Sequence, residues 1–316
     1  MGTLAITGVS GPLGQAVLRR LDAAGAERRV VGIDPRWPAF NPPRLQYYGH
    51  DLADRAVGEL LRREGVDRVL HLAVPWRLRD EPRVRRQVLE GAQNLLAACA
   101  AAGVRHLVVR SSTVVYGPRE EQQAPLGEEA ALRGHPRVAF ARDLVKVELL
   151  CEAFAEAHPE VVVTRLRAAP VVGRGASQVL QRLLSAVPCL PRVHVRQPEL
   201  QFLHLDDMLA ATLRALERPR PGAFNLVPAR PVGFARLAAL LGKRVVWTPA
   251  PLLYLAWELG HRLGLSWTPT SSAVLGYLTQ PWLADGERAS AELDFRARHT
   301  AEEAIQAMLG VEGGKR

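Results

Sequence analysis

The stretch TGVSGPLG, residues 7–14, constrains the fold of this chain more than any other. It follows the apolar run Leu4–Thr7 and opens an amphipathic pattern over Leu13–Leu21, so a strand passes straight into a helix. Gly8, Gly11 and Gly14 stand three apart in that turn. Gly8 permits the tight turn, Gly11 lets the backbone approach a pyrophosphate, and Gly14 lets the helix pack close to the strand. The helix N-terminus then offers free N–H groups and the positive end of its dipole to phosphates. Pro12 suits a first helical turn, where its missing N–H costs nothing. With Ser10 and Leu13, these residues form a candidate dinucleotide-binding turn. Twenty positions beyond Gly14, the run RVVGID ends in Asp34. A carboxylate there accepts from the ribose hydroxyls of NAD and repels a 2′-phosphate, which favours NAD over NADP. Arg36, two residues on, pulls the other way. The plainer alternative is that Asp34 merely ends a strand.

Further apolar runs at Arg29–Ile33, Val69–Leu72, His106–Val109 and Val161–Leu166 alternate with helical patterns at Arg83–Ala102 and Phe140–Ala157. Strand and helix in alternation imply a parallel sheet covered on both faces. Right-handed crossovers then give an α/β, Rossmann-type doubly wound parallel sheet. After Gly173 the pattern becomes richer in proline and less regular, while QFLHLDDM (201–208) and GAFNLV (222–227) read again as pieces of the sheet. The expected organisation is a nucleotide-binding domain over 1–173, with 201–227 returning to it. A small interleaved C-terminal substrate lobe takes 174–200 and 228–310, and 311–316 forms a mobile tail.

The net charge of +9 comes almost wholly from arginine and is spread through every segment, as a compositional bias would spread it. No helix-turn-helix, zinc spacing or aromatic platform accompanies it, so nucleic acid is not an expected partner. Cys99, Cys151 and Cys189 lie far apart in apolar surroundings, which reads as buried thiols in a reducing compartment. No metal-ligand spacing is present. With no basic, cleavable leader and no apolar stretch long enough to span a bilayer, a cytoplasmic location is expected.

The glycine turn, followed by HDL (50–52), HLA (71–73), SSTVVYG (111–117), RLRAAPVVG (165–173), QFLHLDDM, GAFNLV and PWLADGERASAELDFRAR (281–298), resembles the extended short-chain dehydrogenases/reductases. More narrowly it resembles the NAD-dependent epimerase/dehydratase group, nearly end to end. The resemblance implies that Asp51 and Leu52 flank the adenine and that Leu72, Ala73 and Val74 line the cofactor. It places the catalytic serine at Ser112, with Thr113 as second choice, and Arg167 in the substrate pocket. It also implies a homodimer contact through the helix that starts at Phe140.

The group's remaining catalytic residues are a tyrosine and a lysine in Y-x-x-x-K and an asparagine on the preceding helix. Residues four apart share one helix face. There the ammonium lowers the tyrosine pKa and holds the nicotinamide ribose, and the tyrosine shuttles the proton. Here the motif falls on VAFARDLVKVE (138–148). Glu148 matches the glutamate four beyond the lysine, which puts the tyrosine position at Phe140 and the lysine position at Leu144. The asparagine position falls on Val88. Lys146 lies two residues past Leu144, about 200° round the helix, and cannot serve from the same face. Phe140, Leu144, Val147, Cys151 and Phe154 instead read as one apolar stripe. Losing the acid/base alone costs roughly 10²–10⁴ in rate. Ser112 is the only catalytic position that keeps its residue, although His135, Arg142 and Tyr116 lie nearby in sequence.

Three readings of function follow. The first is an NAD(H)-binding protein with a degenerate catalytic site, a cofactor-binding or regulatory pseudoenzyme whose small-molecule ligand the sequence does not name. The second is an NAD-dependent oxidoreductase or epimerase that pairs Ser112 with a non-standard proton donor. The third is a partner-binding protein without cofactor. Two further features stand apart. PWRLRDEPRVRR (75–86) reads as a solvated helix start, or as a clamp for an anionic ligand through Arg77 and Arg79. PLLYLAWELGHRLGLSW (251–267) reads as a lobe helix packed on the sheet, or as a segment lying on a membrane surface or partner. Asp206 and Asp207 read as helix-capping residues.

Overall fold

The computed structural model describes residues 2–25, 28–73, 82–119, 122, 124–176, 178–187, 189–194, 197–265, 268 and 270–311. Val74, the arginines at 77 and 79, Trp267 and the tail from 312 onward lie outside the described residues.

The first half alternates as the apolar runs require. It comprises β1 (Thr3–Thr7), α1 (Pro12–Ala23), β2 (Val30–Ile33), β3 (Leu45–Tyr48), α2 (Ala56–Arg63), β4 (Val66–His71), α3 (Pro82–Ala102), β5 (His106–Ser112), α4 (Ala139–Ala157) and β6 (Val162–Ala168). A short 3₁₀ turn, Thr113–Tyr116, follows β5. The second half contains β7 (Val171–Val172), α5 (Gln178–Ala186), β8 (Leu190–Arg192), β9 (Glu199–Leu200), β10 (Leu203–His204), α6 (Leu205–Glu217) and β11 (Gly222–Leu226). It ends with β12 (Val232–Gly233), α7 (Phe234–Leu240), β13 (Val245–Trp247), α8 (Ala250–Arg262), α9 (Gly276–Thr279), α10 (Glu287–Leu293) and α11 (Ala301–Leu309).

Seven strands form one sheet in the order β11-β6-β5-β4-β1-β2-β3. Every pairing in it is parallel. Both faces of such a sheet must be covered, which is why its central strands are almost continuously apolar. Leu107 and Val109 of β5 join α2, α3 and α4 in one core. Val108 joins α1 and α6 in the core on the opposite face. The strand missing from the sequence reading is β3. Its LQYY is short, lies at the sheet edge and buries only Leu45 fully, so it lacks the apolar continuity that marks the others.

A third core gathers Leu180, Leu184, Phe202, Leu237, Trp257 and Ile305 in the lobe. The closing segment does not stay with it. Trp282 and Ala284 pack in the first core, and Ala289, Leu293 and Phe295 in the second, so 282–295 returns to the sheet. Cys99 and Cys151 are buried, and burial pushes both thiols up to about 12. Cys189 is only half-buried.

Candidate functional site

The turn from β1 into α1 floors a cleft at the C-terminal ends of the strands. Gly8 has a φ of +72°, and a Cβ there would lie 2.7 Å from the backbone nitrogen of Ala73. A Cβ on Gly14 would meet the Gly8 carbonyl oxygen at 2.6 Å. Neither position tolerates a side chain, and both hold the first turn of α1 against the ends of β1 and β4. The cleft has a volume of about 620 Å³ and is lined by Gly8, Gly11, Pro12, Leu13, Asp34, Asp51, Leu52, Leu72 and Ala73, among others. Gly14 acts from beneath the turn. Ser10 acts through its polar groups: its N–H donates to Asp34 Oδ2 at 3.2 Å and its hydroxyl donates to the Arg36 carbonyl.

Asp34 is buried. Its Oδ1 accepts from the Arg36 N–H at 2.9 Å, while the exposed Arg36 guanidinium stands 3.9 Å away. An ionised carboxylate has about four acceptor sites. Two backbone donors therefore fix the orientation of Asp34 and leave capacity for ribose hydroxyls. Asp51 is held by the Ala53 N–H at 3.1 Å and by Gln87 Nε2 at 2.7 Å. The adenosine and pyrophosphate half of the cleft thus fits a dinucleotide.

The catalytic half is different. Phe140 and Leu144 are both buried on the inward face of α4, in line with Val147, Cys151 and Phe154. Lys146 is exposed on another face of that helix. Val88 lines the cleft beside Val84 and Gln87. Ser112 is buried, and its hydroxyl accepts from the Val114 N–H at 3.4 Å, capping the 3₁₀ turn. Thr113 is fully buried, with no partner for its hydroxyl. Phe140 lines a second, apolar cavity of about 70 Å³ with Val114, Phe202, Tyr277 and Trp282. Tyr277 brings the one phenol there. It donates to the Val114 carbonyl at 3.0 Å, and burial pushes its pKa up to about 12. Tyr116 is also buried. It donates to Asn225 Oδ1 at 2.7 Å, and burial raises its pKa. Both phenols are spent on internal bonds. His135 is partly buried; its Nδ1 accepts from the Arg137 N–H at 3.2 Å, and burial and Arg137 lower its pKa.

Arg167 corrects the sequence reading: it lines neither cavity. Its guanidinium lies in the core, 3.0 Å from Glu148 Oε2 and 3.2 Å from Glu148 Oε1, and donates to the Glu128 carbonyl at 2.7 Å. Burial opposes its charge, but the Glu148 carboxylate holds its pKa above the usual arginine value. Arg165 adds a second cation 3.3 Å from Glu148. An arginine on a strand facing a buried glutamate has no other low-energy place to point.

One functional candidate escaped the sequence. Arg110, near the end of β5, lines the cleft with Leu72, Ala73, Val171, Leu205 and Met208. Its guanidinium makes no hydrogen bond or ion pair among the described residues, and burial lowers its pKa. A half-buried cation in the cleft without a partner among the described residues is a candidate contact for an anionic group. Its only sequence signal is a charge at the C-terminal end of a buried strand.

The expected capping residues, Asp206 and Asp207, do not cap α6, because His204 takes the N-cap position. His204 caps α6 by accepting from the Asp206 N–H at 3.1 Å. Asp207 accepts from the Arg298 and His299 N–H groups, both at 3.0 Å, and ties the closing segment to α6. His204, Asp206 and His299 bring three ligand atoms within 4.8 Å of one another, a grouping that no sequence spacing announced.

The order of strands, the glycine turn and the acidic residue after β2 define a Rossmann-type dinucleotide-binding scaffold. The profile of the NAD-dependent epimerase/dehydratase family matches residues 4–226, and the chain belongs to that family. NAD is the cofactor that this membership assigns to the cleft. An uncharacterized protein of Mycobacterium tuberculosis is 26% identical over 309 residues, covering 95% of this chain and 81% of its own. Dihydroflavonol 4-reductase of Zea mays is 25% identical over 271 residues, covering 77% of this chain and 74% of its own. Among solved structures, MoeE5 in complex with UDP-glucose and NAD superposes with a TM-score of 0.72 at 22% identity, over 98% of both chains. The dTDP-glucose 4,6-dehydratase of Bacillus anthracis in complex with NAD gives 0.72 at 14% identity, over 98% of this chain and 96% of its own. At such identities the superpositions establish the fold.

Proposed function

We propose that this protein binds NAD(H) and has lost the proton-transfer half of the family's chemistry, so that it acts as a cofactor-binding or regulatory member. The observation that carries this reading is the pairing of Phe140 and Leu144, buried on one face of α4, with a cleft lined by the glycine turn and Asp34. Phenylalanine has no proton to give and leucine cannot hold a ribose. Lys146 points elsewhere, and the phenols of Tyr116 and Tyr277 are bonded internally with raised pKa values.

In this reading the N-terminal end of α1 at Leu13 and the Arg110 guanidinium hold the pyrophosphate, Gly11 lets it approach the backbone, and Asp34 holds the adenosine ribose. When bound, NAD supplies hydride acceptance. This chain's residues bind and orient it but bring no general acid to a substrate. The small cavity beside Phe140 is almost wholly apolar, which favours an apolar group over a sugar on the substrate side.

The second reading, an oxidoreductase with a non-standard donor, keeps one specific support. The Thr113 hydroxyl is buried next to Ser112 without a partner. A turnover assay separates the two. Purified protein with NAD(H) and a panel of nucleotide sugars, aldehydes and secondary alcohols is expected to show no steady-state change in NADH absorbance. Turnover at 1 s⁻¹ or faster, the ordinary enzyme range of roughly 1–10³ s⁻¹, would refute the degenerate site.

A further inference from the structure

Helix α8 is apolar on both sides. Its inner side is fixed: Trp257 is buried and donates to the Thr270 carbonyl at 2.9 Å, and Glu258 accepts from the Ser272 N–H at 3.2 Å. Its outer side carries Leu252, Leu255, Leu259 and Leu263, each 55–68% exposed, in one stripe at helical spacing. The neighbouring strand β13 exposes Val245, Val246 and Trp247 in a row. Among the described residues, eight of the eleven exposed large apolar residues fall within 245–265. Scattered exposed leucines need no explanation, but a stripe of four on one helix, with an exposed apolar strand just before it in the chain, points to an interaction face.

The charges around the patch select what it meets. Arg244 precedes β13, Arg192 pairs in register with Trp247 across the β8–β13 ribbon, and Arg262 stands at the end of α8. All three are exposed. The helix has a single carboxylate, Glu258, engaged by Ser272 and 3.8 Å from Arg262. The face is therefore apolar with cationic margins, on a chain of net charge +9. A second copy docked about a two-fold axis would set such margins against themselves. An anionic bilayer surface complements both features, because leucines and a tryptophan enter the acyl boundary while arginines meet the headgroups.

We propose that α8 and β13 form a docking face for an anionic phospholipid bilayer. The face connects to the site: Glu258 and Trp257 are tied to 270–272, and the chain continues directly into Val274, Tyr277 and Leu278, which line the apolar cavity beside Phe140. Docking sets that cavity close to the membrane. The proposal does not depend on cofactor binding.

The test is co-sedimentation of the full chain with vesicles of phosphatidylglycerol and phosphatidylcholine in equal parts, and with phosphatidylcholine alone. Wild type is expected to partition onto the anionic vesicles at least tenfold better than onto the neutral ones, with a blue shift in tryptophan emission that Trp247→Phe abolishes. Leu255→Glu with Leu259→Glu is expected to lower partitioning at least tenfold while leaving Tm and NADH affinity unchanged. Equal binding to both vesicle types, or retention by the double variant, would overturn the proposal. So would a wild-type dimer that stays in solution with vesicles and dissociates in the double variant, because the face would then serve self-association.

Discussion

At one end of the cleft the polar groups stand ready for a ligand; at the other they are spent on the protein. Asp34 is oriented by two backbone donors, Gly8 and Gly14 keep side chains out of the turn, and Arg110 has no partner among the described residues. Around α4, by contrast, Glu148 is consumed by Arg165 and Arg167, Ser112 by a helical cap, and Tyr116 by Asn225. Phe140 and Leu144 have become core. On the proposed reading, binding and chemistry are separable in this scaffold. The turn proposed to hold a pyrophosphate is set by backbone geometry, whereas the family's proton transfer rests on two side chains, and the fold stands with Phe140 and Leu144 at the matching positions.

The sharpest way to break this contrast is to attack the catalytic half where it has become structural. Glu148→Ala leaves two buried guanidinium groups without their carboxylate, and is expected to cost about 3–5 kcal/mol in chemical denaturation. If Glu148 instead served catalysis, its loss would spare stability.

Acid tests the sheet beneath the cleft. His71 and His106 are buried and neutral, with pKa values lowered by burial to about 4. In the unfolded chain each takes a proton near the ordinary value of about 6.5. Their stabilising contribution is therefore complete above pH ~6.5 and is lost as pH falls from there through about 4, on the order of 3 kcal/mol for each ring. Denaturation midpoints that stay flat across that window would show that the rings are solvated.

The remaining tests fall on the binding half. Arg110→Met is expected to weaken NADH by roughly 10–100-fold, the worth of a charge-assisted contact. It should leave stability nearly unchanged, because the half-buried Arg110 makes no hydrogen bond or ion pair among the described residues. Full affinity in this variant would detach Arg110 from the pyrophosphate. Asp34→Asn is expected to give the smallest effect, about a tenfold loss for NADH, the worth of one charged hydrogen bond. NADPH should lose less, so the preference between the two cofactors narrows.

Much of the binding half was legible because it is local. Three glycines, a proline and an acidic residue at fixed spacing report a turn whose geometry depends on those residues alone. The proposed loss of chemistry rests on the same kind of signal, since Phe140 and Leu144 stand at a four-residue spacing that one helix face defines. What escaped needed contacts across the chain. Arg167 reads as a pocket residue until Glu148, 19 residues earlier, claims it. Arg110 is one arginine among many until its lack of a partner becomes visible. For α8, apolar periodicity identifies the helix but does not tell which of its two apolar sides meets the core. The edge strand β3 lacks the continuous burial by which the other strands announce themselves.

The most direct measurement is a calorimetric titration of the full chain with NADH and, in parallel, NADPH. Micromolar binding of NADH with at least tenfold weaker NADPH is the expected result, and shows that Gly8, Gly11, Gly14 and Asp34 still serve a cofactor. Binding of neither would contradict the account, and would leave a fold kept for a partner instead of a dinucleotide.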